Sequence, residues 1–275
     1  MSTKNFIPKI WTAAIDTQLD EFLVAADFCN RQYEGEVKEA GDQVRVQQAI
    51  RPTIIRSSDG KPLDMSNPED PDGTTLAMDI CEQAGFNYSI PNIDEAQAKG
   101  NIKSVLTEET TQGMANEIDI FLFGLAAEKA VPKSQTTKIS TDNVLNVVNR
   151  GFERLWSANV PANTPLEIDI SPAFHTIFLE AYSKLDTNNS EMLKNGVVGR
   201  YSNATVKMTN NLHNDGTDDY IVIRTNKAMA FAKPLTTIEA LKNPKRLGDI
   251  ARGAVLFGGK VTRPREMYVI KAHYA

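Results

Sequence analysis

The chain has 275 residues, 41% hydrophobic and 24% charged, a composition suited to one large folded domain or two intimate ones. Thirty basic against 35 acidic side chains leave a net charge of -5, which excludes the dominant basic patch of a protein that grips nucleic acid in trans. Two cysteines are too few for a disulfide framework, no apolar run approaches a bilayer span, and no basic-then-apolar start marks a signal peptide.

Phe6-Ile7-Pro8 reads as a short extended segment. Behind it Ile10, Trp11, Ala14, Ile15, Leu19, Phe22, Leu23 and Ala26 recur at three- and four-residue spacing, one apolar stripe of an amphipathic helix over 10–28. From 35 to about 93 the pattern turns to alternation, with strands expected at 41–46, 52–56, 74–80 and 85–90. The polar stretch 57–73, broken by Asp59-Gly60, Pro62, Pro68, Pro71 and Asp72-Gly73, reads as the tip of a long two-stranded ribbon. An isolated hairpin is marginal in water, so the ribbon is expected to lean on a neighbour. Cys29 and Cys81 lack metal-ligand spacing, and both are expected to be small buried hydrophobes among apolar neighbours.

A helix follows over 101–129, carrying Ile102, Val105, Leu106, Met114, Ile118, Phe121, Leu122 and Leu125 on one side. Asn101 or Ser104 would cap it and Pro132 end it, and its length is more than twice the globular mean. Beyond it the pattern is compact α/β. A short strand at 137–140 precedes a helix capped by Thr141 that carries Val144, Leu145, Val148, Phe152, Leu155 and Trp156. An alternating strand at 165–170 leads to Ser171-Pro172, an N-cap followed by proline at the first helical position. The helix they open turns Phe174, Ile177, Phe178, Ala181, Tyr182 and Leu185 inward. Strands are expected at 204–208, 220–224, 228–232, 236–239, 254–257 and 267–272, with a short helix at 246–251.

Catalytic chemistry finds no foothold. Of three histidines, His175 lies on the helix after Ser171-Pro172, His213 in a polar loop and His273 near the C-terminal end, none with a Ser, Cys or metal-ligand partner at telling spacing. Asp70-Pro71-Asp72-Gly73 lacks the alternating carboxylates and later glutamate of a calcium loop. The segment 253–260 resembles a phosphate loop, but its first glycine is out of register and Val261 stands where Ser or Thr is required. A glycine bulge in a buried strand is the better reading. Lys242, Lys245 and Arg246 form a basic run that suits a solvated face or an intersubunit contact better than phosphate. No enzyme, cofactor or metal site is expected.

Several stretches carry a family likeness in order. They are Phe6-Ile7-Pro8-Lys9-Ile10-Trp11 with Phe22-Leu23-Val24-Ala25-Ala26, then Tyr33-Glu34-Gly35-Glu36-Val37 with Gly41-Asp42-Gln43-Val44-Arg45-Val46. Asp94-Glu95-Ala96-Gln97-Ala98, Ala158-Asn159-Val160-Pro161, Asn195-Gly196-Val197-Val198-Gly199-Arg200 and Phe257-Gly258-Gly259-Lys260-Val261-Thr262-Arg263-Pro264 complete the set. From Phe6 to the C-terminus the chain resembles the major capsid (coat) proteins of tailed bacteriophages. The resemblance implies an α+β tailed-phage capsid fold: N-terminal arm over 1–36, extended β-hairpin loop over 37–92, and peripheral domain with a long spine helix over 93–137. A central α/β axial domain over 138–225 and closing strands shared by both domains over 226–275 follow.

It also implies a non-catalytic assembly role. Subunits would form hexamers and pentamers of an icosahedral head enclosing double-stranded DNA without sequence-specific binding. A scaffolding protein, a portal and possibly a decoration protein would assist, with no membrane involved. The location would be the virion, assembled in the host cytoplasm. An encapsulin-like shell of a bacterial protein compartment is the alternative. Intersubunit contacts are expected at Phe6, Ile7 and Trp11 in the arm, at Ile54, Asp59, Lys61 and Asp72 in the ribbon, and at Arg246 and Arg263. Some members crosslink a loop lysine to a neighbour's asparagine; Lys61 and Asn243 are the corresponding residue types here, with nothing further in the sequence to support that chemistry. Gly35, Gly41 and Gly85 stand at the ribbon base as hinges or ordinary turns. In unassembled subunits, 2–31 and 37–90 are expected to exchange amide hydrogens freely while the long helix is protected.

Overall fold

A computed structural model of the chain describes residues 15, 17–32, 43–48, 54, 56, 74–91, 102–131, 133–184, 199–244 and 248–274. The strands are β1 (Gln43–Gln48), β2 (Thr74–Asp79), β3 (Glu82–Pro91), β4 (Thr137–Lys138), β5 (Leu166–Ile170) and β6 (Arg200–Tyr201). They continue with β7 (Ala204–Met208), β8 (Asp218–Thr225), β9 (Met229–Lys242), β10 (Gly248–Val261) and β11 (Met267–His273). The helices are α1 (Ile102–Lys129), α2 (Val144–Ser157) and α3 (Pro172–Ser183).

Period-2 alternation places two layers on a mixed six-stranded sheet ordered β4-β11-β8-β5-β7-β6. On one face Ile223 of β8 and Tyr268 of β11 press so closely on α2 that a Cβ at Gly151 would lie 2.5 Å from Ile223 Cδ1. The neighbouring Arg224 points to the opposite face, where residues 24–29 pass. Both faces of β5 are therefore covered and all five of its residues are buried. This corrects the expectation of an alternating, half-exposed strand.

α3 starts as its local chemistry dictates. Ser171 Oγ accepts from the Phe174 N–H at 3.3 Å, Pro172 occupies the first turn, and Phe174, Phe178 and Ala181 are buried. α2 differs from expectation: Asn143, not Thr141, stands at the cap position. Its side chain accepts from the Ser140 N–H and donates to the Lys138 carbonyl, bracing the preceding turn instead of the helix. Trp156, among the apolar residues of this helix, is 42% exposed. In α1 the buried positions Met114, Ala115, Ile118, Leu122, Phe123 and Ala126 follow the helical period, whereas Val105 lies 58% exposed, off the packed face.

The closing strands are longer than the sequence pattern indicates. β9 and β10 are 14 residues each and pair antiparallel, with β3 on the far side of β10, in a separate three-stranded sheet. The segments at 228–232 and 236–239 are thus one strand, and 248–251, expected as helix, begins β10. The sheet register shifts between Leu256 and Gly258, as the glycine-bulge reading requires. A Cβ at Gly258 would lie 2.5 Å from the Asp79 carbonyl oxygen, and one at Gly259 would lie 2.6 Å from Leu122 Cδ2. Only glycine lets the ribbon base and α1 approach the sheet here.

That ribbon base is β1 paired antiparallel with β2. Val44, Val46, Met78 and Ile80 bury their side chains against Ala230, Ala232 and Leu256. Two expectations are corrected. The base of the ribbon packs on its own chain, and 85–90 is not a ribbon strand but part of β3, hydrogen-bonded along β10 from Pro91↔Gly248 to Glu82↔Phe257. Gly85 sits mid-strand opposite Ala254, where a Cβ would meet the Gly253 carbonyl at 3.0 Å, so it serves close strand approach and not a hinge. Gly35, Gly41 and the polar tip 57–73 lie outside the described residues.

Candidate functional site

The N-terminal stretch was expected to be loose in a single subunit. In the structure, residues 17–22 are helical, 26–28 form a 3-10 turn, and Ile15, Leu19, Leu23, Ala25, Ala26 and Cys29 are buried in the main core. Polar contacts fasten it further. Asp119 of α1, 1% exposed, accepts from the backbone N–H groups of Val24 (3.0 Å) and Ala25 (2.9 Å). Arg224 of β8 donates through Nη2 to the Ala25 carbonyl at 2.9 Å. The backbone of Ala25 is thus held by its N–H from a helix and by its carbonyl from a strand. Further along, Asn30 N–H donates to Met229 O and Phe231 N–H to Asn30 O, and Asp20 pairs with Arg31 and Lys233.

Arg224 is the hub of this clasp. β5 and β8 pair with Glu167 directly opposite Arg224, and Asp169 lies two residues on, so all three side chains share one face. Nη2 reaches Glu167 Oε1 at 2.6 Å and Nε reaches Asp169 Oδ2 at 3.0 Å. Nη1 lies 3.3 Å from Cys29 Sγ, and the guanidinium sits 5.6 Å from the centre of the Phe28 ring. Lys207 on β7 bridges outward, 3.0 Å from Glu167 and 2.6 Å from Asp27.

Electrostatics follow from burial. Desolvation raises the Asp119 carboxyl to about 6, although its two backbone donors pull the other way. Burial, with mutual repulsion between the two carboxylates, raises Glu167. Burial likewise raises Asp169, opposed by Arg224, and its Oδ1 has no hydrogen-bond partner. Burial opposes the charge of Arg224, but Asp169 and Glu167 outweigh it and hold the guanidinium above its ordinary range. Burial pushes the Cys29 thiol up to about 11, so it is no nucleophile. The cluster is closed and charge-compensated, a fastening and not a reaction centre.

One further constellation was not foreseen. His273 Nδ1 lies 2.9 Å from Asp218 Oδ1, and Thr136 Oγ1 donates to Asp218 Oδ2 at 2.7 Å. In a catalytic triad the nucleophile bonds to the base; here the hydroxyl bonds to the acid, so the order is wrong for catalysis. Among the described residues no three His, Cys, Asp or Glu side chains are grouped to hold a metal ion, and no described helix is long and apolar enough to cross a membrane.

Of the expected contact residues, Ile54 is described and 78% exposed. Arg263 is exposed but pairs within the chain with Glu266 at 2.7 Å. Phe6, Ile7, Trp11, Asp59, Lys61, Asp72 and Arg246 lie outside the described residues. Asn243 donates to Ser89 Oγ at 3.0 Å. Cys81, expected buried, is exposed. The sequence pattern did not single out Arg224, Asp119, Glu167 or Asp169. The available signal was two carboxylates at i and i+2 within Leu166-Glu167-Ile168-Asp169-Ile170, together with a lone arginine closing the apolar run of β8.

No family model and no curated protein matches the chain. Solved structures do. A structure from Mycobacterium phage Che8 has a TM-score of 0.75 at 22% identity, over 90% of this chain and 90% of that one. The capsid of the cyanophage P-SCSP1u gives 0.69 at 13% identity, over 92% and 89%. A virus-like particle from Pyrococcus furiosus gives 0.61 at 13% identity, over 95% and 98%. Each likeness covers nine-tenths or more of this chain, and on them the chain has the α+β fold of tailed-phage capsids.

Proposed function

We propose that this chain is the major capsid protein of a tailed phage. The observation that carries the reading is the capsid fold over nine-tenths of the chain. In this reading subunits associate as hexamers and pentamers of an icosahedral head, aided by a scaffolding protein and a portal, with double-stranded DNA inside and the protein located in the virion. The arm at 1–36, ribbon, peripheral and axial regions divide the work of assembly. Ile54 and Arg263, both exposed, stand with Phe6, Ile7, Trp11, Asp59, Lys61, Asp72 and Arg246 as proposed subunit contacts.

A second reading keeps the fold, shared with a virus-like particle from Pyrococcus furiosus, and changes the contents: an encapsulin-like shell that encloses protein instead of DNA. Electron microscopy of the purified product, with nucleic-acid and protein content measured on the same particles, separates the two. Icosahedral particles filled with DNA support the capsid reading. Small shells with protein cargo and no nucleic acid favour the second, and a stable monodisperse monomer at all concentrations defeats both.

A further inference from the structure

The groove between α2 and the stretch following α1 gathers uncompensated positive charge. Lys133 and Lys138 stand on one wall and Arg150 and Arg154 on the other, against the single carboxylate of Glu153. All four cations are exposed, and among the described residues Lys138, Arg150 and Arg154 have no ion-pair partner. Some cations elsewhere are neutralised by a carboxylate, as Lys184 is by Glu180, Lys207 by Glu167 and Arg252 by Glu239, whereas here three stand together without one. Arg150 and Arg154 are four residues apart and so project from one face of α2.

The rest of the lining is chiefly hydroxyl and amide, from residues such as Ser134, Gln135 and Thr137, with Val147 and the Tyr268 ring as the apolar part. A protein partner would look for buried aromatic or aliphatic anchors, which this groove scarcely offers. Phosphate oxygens look for arginine, lysine and hydroxyl donors, which it does offer. We propose that this groove is a sequence-independent contact for the phosphate backbone of nucleic acid. The contact chemistry stands on the groove alone; that the nucleic acid is packaged double-stranded DNA rests on the capsid reading above. Few phosphates are reached, so binding is weak, as suits a chain of net charge -5 that encloses DNA without gripping it.

The test is fluorescence anisotropy of a short labelled DNA duplex with the full-length protein, titrated over a range of salt. Wild type is expected to bind with a log–log salt slope of about -3, the value for three to four phosphates. R150Q/R154Q should weaken binding about tenfold or more and flatten the slope by about 2, with an unchanged thermal melt. K138Q alone should flatten it by about 1. No duplex binding by wild type, or binding indifferent to these substitutions, overturns the proposal. So does tighter binding of a polyglutamate peptide than of the duplex, which would assign the groove to an acidic protein. Electron microscopy of wild type keeps the two readings apart. DNA-filled particles with no duplex binding defeat only the groove, and duplex binding without particles defeats only the capsid reading.

Discussion

The guanidinium of Arg224 donates to the carbonyl of Ala25 across 199 residues of chain, at 2.9 Å. Asp119, 94 residues from Ala25, accepts from that residue's N–H. Two distant elements thus grip the backbone of one residue, and the stretch 17–32, expected to be loose in a single subunit, is fastened to the subunit's own core.

Removing the hub should therefore be expensive. Arg224→Met leaves Asp169 buried without a cation and Glu167 with Lys207 alone, and is expected to destabilise the subunit by about 3–5 kcal/mol. Replacing all three with apolar residues of similar volume should recover most of that loss. Urea unfolding of the three proteins measures both effects. Hydrogen exchange of wild-type subunits adds a local readout: 17–32 should be protected alongside α1, and the Met variant should lose that protection first.

Asp119 gives stability a pH dependence of definite sign. Its folded-state value, about 6, lies above its ordinary 3.8, so the folded chain holds a proton that the unfolded chain has released between those values. By linkage its contribution is most favourable below pH 4 and declines as pH rises to 6, by up to about 3 kcal/mol. Asp119→Asn cannot titrate. Its stability relative to wild type should improve steadily across that window and stay level above it. A difference curve that is flat from pH 4 to 6 would remove Asp119 from the account.

Two glycines should respond oppositely to alanine. At Gly258 the new methyl would meet the Asp79 carbonyl at 2.5 Å and Ile80 Cδ1 at 2.7 Å, which forces the ribbon base off the sheet and costs about 1–3 kcal/mol. At Gly113, within α1, nothing lies within 4 Å, and alanine should raise stability by roughly 0.5–1 kcal/mol through helix propensity. Paired thermal melts decide the matter.

The cysteines should separate by accessibility. A maleimide reagent is expected to label Cys81 in native protein within minutes, and Cys29 only after denaturation, since Cys29 is buried with its thiol raised to about 11. Prompt double labelling of native subunits would mean that the clasp opens.

What was legible in the sequence was local. Ser171-Pro172 announces α3 because cap and proline act within one turn, and the long period of α1 survives because its packed face repeats every turn. Pairing was not legible. Alternation marks 85–90 as strand but carries no information about its partner, and that partner, β10, lies more than 150 residues away. The Glu167–Asp169–Arg224 cluster escaped for a related reason: alternating acids read as a wet face until residues 24–29 are known to cover it. Over 248–251 the expected helix gives way to strand because ladder bonds to β3 and β9 outweigh a weak local preference.

The length of β9 and β10 has a mechanical consequence. β9 and β10, 14 residues each, extend roughly 46 Å, and β3 runs beside β10 from Gly248 to Phe257. The bulge at Leu256–Gly258 lies toward one end, where α1 and the ribbon base rest on it. Tilting the pair by about 5° at that fulcrum would carry the opposite tip through roughly 3 Å, enough to trade one set of contacts there for another. Moved in that way, the three-stranded sheet would act as a lever with its short arm in the core.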